Sequence, residues 1–178
     1  MEKVRVLGVD PSLRNTGLAI VTYNTELPVS DVKAFTVEHC QVLVNPQKYT
    51  GTDAILNMLD MLCECANEKA YQDVDDVIIE SPAIMFNKTW SGGTISSIAH
   101  ISGGAVALFG IEKAHLFRPN EWNKTRKKEI THNQTVGILG DYNLWHYEKR
   151  LKSEKYLEHV MDAASMALWW IKSNYLEE

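Results

Sequence analysis

The segment "LGVDPSLRNTGLAIV", residues 7–21, consists of an apolar run that ends on an acid, a tight turn of hydrogen-bonding side chains, and a second apolar run. That order is a strand, a turn and a strand. Val4, Val6, Leu7 and Val9 suit a buried strand, yet the strand finishes on Asp10. A short apolar run at 74–81, "VDDVIIES", has the nearly continuous hydrophobicity of a strand covered on both faces, and it too ends on an acid, Glu80. In sheets flanked by helices, the carboxyl ends of central strands line the crevice where ligands and metals bind. Asp10 and Glu80 would meet there if their strands are neighbours.

The remaining pattern supplies an α/β order. "VKAFTVEHCQVLV" at 32–44 extends the first two strands into an antiparallel meander, and Ile55, Leu59, Leu62 and Ala66 fall at helical spacing within 53–71. A small-residue helix covers 94–110. Its Gly103 and Gly104 cost roughly 1 kcal/mol each relative to Ala, an expense that close approach of another backbone would offset. "KAHLFRP" at 113–119 is a further strand, the stretch from 119 to 155 mixes helix formers with turn residues, and a final helix runs from about 155 to 175. No linker or repeat divides the chain, so the expectation is a single domain over 1–178: an α/β fold with one five-stranded mixed sheet, three antiparallel strands then two parallel, flanked by helices.

Composition bounds the function. With 45% hydrophobic and 23% charged residues, the chain has a soluble globular balance. It carries no basic-apolar leader and no uninterrupted apolar run of roughly 18 residues, so a cytoplasmic protein without a membrane partner is expected. Cys40, Cys63 and Cys65 lack a second Cys or His pair at zinc-ligand spacing and read as reduced thiols. The net charge of −5 is uneven: residues 113–155 hold ten of the 18 Lys and Arg against five acids, a local +5. Screening over about 10 Å lets such a patch bind phosphates on an acidic protein, although a solvated helix face would look the same.

In the last helix, Leu157, Val160, Met161, Ala164, Leu168 and Ile171 form an apolar stripe at 3.6-residue spacing. His159 and Asp162, three apart, share another face, roughly opposite that stripe. Alone they would be a solvated polar face. Beside two strand-end acids they offer one nitrogen and two oxygens to a shared site, and hard oxygen ligands suit Mg²⁺ or Mn²⁺.

"LGVDPSLRNTGLAIV", "VIIESP" and "HVMDAASMALWW" resemble, in order and spacing, the three acidic motifs of the RuvC family of Holliday junction resolvases, nucleases with the RNase H-like fold. The resemblance covers most of the chain and points to a phage-type member. It implies catalytic and metal-binding roles for Asp10, Glu80 and Asp162, with His159 at a position where the family carries His or Asp. Gly17 matches the turn glycine, and "HISGGAVALFG" at 100–110 resembles a glycine-rich helix of the family. "RPNEWNK" at 118–124 resembles the stretch that introduces the family's basic region, which makes Lys124, Arg126, Lys127 and Lys128 the expected phosphate contacts. An aromatic after the second acid serves the family as a wedge at the branch point, and Phe86 is the candidate here.

The residue types suit that chemistry on their own terms. In-line hydrolysis of a phosphodiester needs a nucleophilic water and a stabilised leaving oxygen, which two divalent ions about 4 Å apart provide. Asp10 would bridge them, with Glu80 and Asp162 to either side and His159 ligating the second ion or positioning the water. The expected partner is branched DNA, engaged by a homodimer because a four-way junction has two-fold character. Two alternatives are a non-catalytic junction-binding protein and an actin- or hexokinase-type ATP-binding domain, which shares the opening hairpin but needs a second lobe.

Overall fold

The computed structural model describes residues 3–82, 92–123, 127–140 and 154–176. Five strands form one mixed sheet: β1 (Lys3–Asp10), β2 (Asn15–Asn24), β3 (Phe35–Val44), β4 (Asp76–Glu80) and β5 (Ala114–Phe117), in the order β3-β2-β1-β4-β5. β1, β2 and β3 pair antiparallel as the expected meander, and β4 joins β1 and β5 in parallel. β3 starts at Phe35 rather than 32, because Pro28 and Asp31 turn the chain first: Asp31 N donates to the Pro28 carbonyl at 2.8 Å, and the Asp31 carboxylate accepts from Lys33 N at 2.8 Å.

Side-chain alternation divides the core in two. On one face Leu7, Val9, Leu18, Ile20, Val77 and Ile79 pack under α1 (Gly51–Asn67) and α3 (Gly92–Phe109), with the short α2 (Lys69–Gln72) beside them. On the other, Val4, Val6, Ala19, Val21 and Ile78 pack under α6 (Glu154–Asn174). Asp10 and Glu80 continue the second register, two residues beyond Gly8 and Ile78, so both point toward the α6 side.

The unassigned basic stretch contains two helices, α4 (Pro119–Trp122) and α5 (Lys128–Leu139). α5 lies on the outer side of α6, where Thr135 Oγ1 and Ser165 Oγ meet at 2.7 Å. The face of the last helix that carries polar residues is thus covered by protein. Residues 160–168 of α6 are buried throughout, because the sheet covers one side and α5 the other.

Gly8 and Gly17 set the distance between α6 and the sheet. A Cβ on Gly8 would stand 1.9 Å from the Ala163 carbonyl oxygen, and one on Gly17 would stand 2.2 Å from the His159 carbonyl oxygen. Gly17 is therefore a packing glycine inside β2, not a turn glycine. The close approach expected at Gly103 and Gly104 holds only for the second, and the neighbour is a side chain: a Cβ on Gly104 would meet Leu59 Cδ2 at 2.2 Å, whereas Gly103 faces open space.

α3 also departs from the sequence expectation about apolar length. By length and composition alone it could cross a membrane, although Thr, Ser and His interrupt it and it buries Ile101, Ser102 and Ala105 in the domain. Cys40, Cys63 and Cys65 form no disulfide.

Candidate active site

The β1–β4 register places the two strand-end acids side by side. Val9 pairs with Ile79, so Asp10 and Glu80 are the next residues on adjacent parallel strands. The charge of Asp10 acts directly on the Glu80 carboxyl beside it. α6, seated closely over Gly8 and Gly17, brings its first turns across the same strand ends: His159 Nδ1 donates to Asp10 Oδ2 at 2.8 Å. Asp162, one turn further, is only 4% exposed and faces the same cleft. The cleft has a volume of about 370 Å³ and is walled by Ser12, Ser81, Pro82, Ile98, Pro119 and Trp122 around the four predicted residues. Four side chains separated by up to 152 positions thus converge.

α5 contributes two groups that the sequence reading did not place there. Lys128 Nζ donates to Asp162 Oδ2 at 2.5 Å and to Glu158 Oε1 at 3.1 Å, and His132 Nε2 donates to Asp162 Oδ1 at 2.8 Å. Lys128, expected as a phosphate contact, is bonded inside the acidic cluster, with 57% of its side chain still exposed. His132 was missed outright. Its signal was the i, i+4 spacing of Lys128 and His132, which puts both on one helical face, but that reads as a site only once α5 is recognised as a helix. Lys127 caps α5 and is exposed. Lys124, Arg126 and Phe86 lie outside the described residues.

The electrostatics are unbalanced. Burial pushes the Glu80 carboxyl up to about 8, and the charges of Asp10 and Asp162 add to it. Burial likewise raises Asp10; the bond from His159 pulls it back and the charge of Asp162 pushes it up again. Burial would raise Asp162 too, but the bonds from His132 and Lys128 outweigh it and hold this carboxylate below its ordinary value. His159 is raised by its bond to Asp10 against the opposing effect of burial. One carboxylate is compensated by the protein, and two are not.

No three His, Cys, Asp or Glu among the described residues are drawn together tightly enough to hold an ion as arranged. The reason is visible in the bonds: Asp162 is occupied by Lys128 and His132, and Asp10 by His159. The donor set itself fits a hard divalent cation, since three carboxylates and an imidazole share one cleft, and burial together with neighbouring carboxylate charge holds two of the carboxyls above their ordinary values.

No family model matches the chain. No curated protein matches it in sequence. Solved structures do match its fold. Thermus thermophilus RuvC, in complex with a Holliday junction substrate, superposes with a TM-score of 0.64 at 15% identity, covering 97% of this chain and 96% of that one. The yeast mitochondrial Holliday junction resolvase Ydc2 gives a TM-score of 0.56 at 15% identity over 95% of this chain and 79% of its own. The fowlpox virus resolvase, in complex with Holliday junction DNA, gives 0.56 at 16% identity over 98% of this chain and all of that one. The sheet order, the helix seated across the strand ends and these full-length superpositions give the chain the RNase H-like fold in the form shared by RuvC and other Holliday junction resolvases.

Proposed function

We propose that this chain is a structure-specific endodeoxyribonuclease that resolves four-way or otherwise branched DNA junctions by paired, metal-dependent phosphodiester hydrolysis. The observation that carries the reading is the convergence of Asp10, Glu80, His159 and Asp162 in one cleft, where parallel neighbours β1 and β4 end under α6. The resolvase fold supports the substrate class.

Asp10, Glu80 and Asp162 would hold the metal through their carboxylates, with Asp10 the residue that would serve both ions. Divalent ions, Mg²⁺ or Mn²⁺ and two per site in this reading, would supply a water acidic enough to attack near neutral pH and charge for the leaving 3′ oxygen. His159 turns Nδ1 to Asp10, which leaves Nε2 as the nitrogen to ligate or to position the water. Lys127 and Lys128 at the head of α5 stand beside the cleft, where a phosphate backbone would run. Lys124 and Arg126 belong to the same basic run, and Phe86 is the proposed wedge.

A homodimer belongs to this reading, since two nicks placed symmetrically across a junction need two sites. The 18 residues of α3 include His100 but no Asp, Glu, Lys or Arg, and only Ile101, Ser102 and Ala105 among them are buried, which makes that helix the candidate surface for a second copy.

The test is a labelled four-way junction incubated in Mg²⁺ and in excess chelator. Paired nicks at the branch in Mg²⁺, lost in chelator, are expected. Metal-independent binding without nicks would instead mark a non-catalytic junction-binding protein, and equal cutting of linear duplex would remove the junction from the proposal.

A further inference from the structure

The Lys128–Asp162 pair is asymmetric. The Asp162 side chain is 5% exposed, whereas that of Lys128 is 57% exposed and reaches in from the first residue of α5. Both carboxylate oxygens of Asp162 are taken, Oδ2 by Lys128 and Oδ1 by His132. An ion approaching Oδ2 would meet the Lys128 ammonium already there. Yet the ammonium is the partner that can leave: its four-carbon stem rotates, it keeps contact with water, and withdrawing it exposes no buried charge of its own. What it would leave behind is a buried carboxylate with only the His132 bond to offset its charge, an unfavourable state that an arriving cation would relieve. His132, packed between α5 and α6 with 20% of its side chain exposed, would meanwhile keep Asp162 oriented through Oδ1.

We propose that Lys128 is a resident counter-cation of the cleft, that it exchanges places with a divalent ion at Asp162 Oδ2, and that junction DNA promotes the exchange by drawing the ammonium to a backbone phosphate. This rests on the nuclease reading above and adds to it a coupling. DNA and metal bind with mutual reinforcement, because each removes what the other must displace, and the coupling is reciprocal by linkage. The metal-free protein then keeps its acidic cleft intact without holding an active metal site in the absence of substrate.

The test is Mn²⁺ binding, followed by loss of the free-ion paramagnetic resonance signal, with and without a four-way junction whose linkages at the branch resist hydrolysis. Without DNA, Lys128→Met is expected to bind Mn²⁺ about tenfold more tightly than the parent, as removal of a unit charge within bonding distance of a ligand implies. Lys128→Arg keeps the charge and should stay close to the parent, as should Lys172→Met at the far end of α6. The junction should tighten Mn²⁺ binding to the parent and leave Lys128→Met nearly unchanged. Parent-like or weaker Mn²⁺ binding by Lys128→Met without DNA, or a junction effect of equal size in both proteins, overturns the exchange. If the parent binds Mn²⁺ in a way that Asp10→Asn abolishes and Lys128→Met fails to tighten, the exchange alone is wrong; if the parent takes up no Mn²⁺ under either condition, the nuclease reading fails with it.

Discussion

The two ends of β4 carry two acidic clusters built from similar parts, and they differ in how charge is settled. At its start, Asp76 accepts from His115 Nε2 at 3.0 Å, Trp170 Nε1 at 2.8 Å and Tyr175 Oη at 2.5 Å. His115 stacks on Trp170 with ring centroids 4.3 Å apart, and Phe117 meets Trp169 edge-on at 5.0 Å, so Trp169 and Trp170 close this end of the sheet. Burial would raise Asp76, but the bonds from Tyr175, Trp170 and His115 outweigh it and hold the group below its ordinary value. At the other end, four residues on, Glu80 faces Asp10 across the register and is pushed up to about 8. α6 lies over both ends, with His159 and Asp162 at one and Trp170 at the other. In one cluster three side-chain donors satisfy the acid, and the cluster holds structure. The other sets acid against acid, and two like charges about 4 Å apart at an effective dielectric of about 20 repel by about 4 kcal/mol, a conflict that a divalent cation resolves.

The contrast breaks first at activity. Asp10→Asn and Asp162→Asn should each lower single-turnover cleavage of a labelled junction by at least about a thousandfold while junction affinity, read by gel shift, stays within roughly threefold. Asp76→Asn should leave the cleavage rate within a few-fold of the parent. Cleavage by Asp10→Asn at the parent rate would remove the distinction between the two ends.

Next in size is the close packing that brings α6 over the strand ends. Gly8→Ala would drive a Cβ into the Ala163 carbonyl, and urea unfolding should report a loss on the order of 3 kcal/mol or more. Gly103→Ala, where a Cβ meets open space, should be neutral or slightly stabilising.

The smaller effects separate the two ends by sign. Asp76→Asn should destabilise the protein by about 1–3 kcal/mol near neutral pH, since it weakens three bonds to a charged acceptor. Because the native value of Asp76 is lowered, that cost shrinks as pH falls through the ordinary value of 3.8 and below. Glu80→Gln should do the reverse. The native fold holds a proton on Glu80 that the unfolded chain gives up above 4.5, so metal-free stability declines as pH rises from there through about 8. Thermal melts of metal-free Glu80→Gln should therefore exceed the parent's above that range by several degrees, on the order of 2 kcal/mol at this chain length, and converge with them in acid. The same substitution should abolish cleavage, a gain in stability obtained by removing a functional conflict.

Much of this was legible in the chain. Two apolar runs joined by a turn and the apolar run before Glu80 identified β1, β2 and β4, because burial on one or both faces constrains every residue of a strand. α5 was not legible: "KEITHNQTVGIL" has a weak apolar face, since it covers α6 with Thr135, Leu139 and partly buried residues rather than a continuous stripe. His132 was hidden with it. That α5 covers the outer face of α6 was hidden for the same reason, because a helix covered on two sides shows one strong stripe and one that looks polar.

Sequence alone determined that acids end two buried strands and that a His and an Asp recur at one helical spacing, since local periodicity is written in consecutive residues. Only the tertiary structure decided that Lys128 and His132 settle the charge of Asp162 while Asp10 and Glu80 stay in conflict. Which charge compensates which depends on distances of a few ångströms between segments remote in the chain, and those are set by packing, at Gly8 and Gly17 above all.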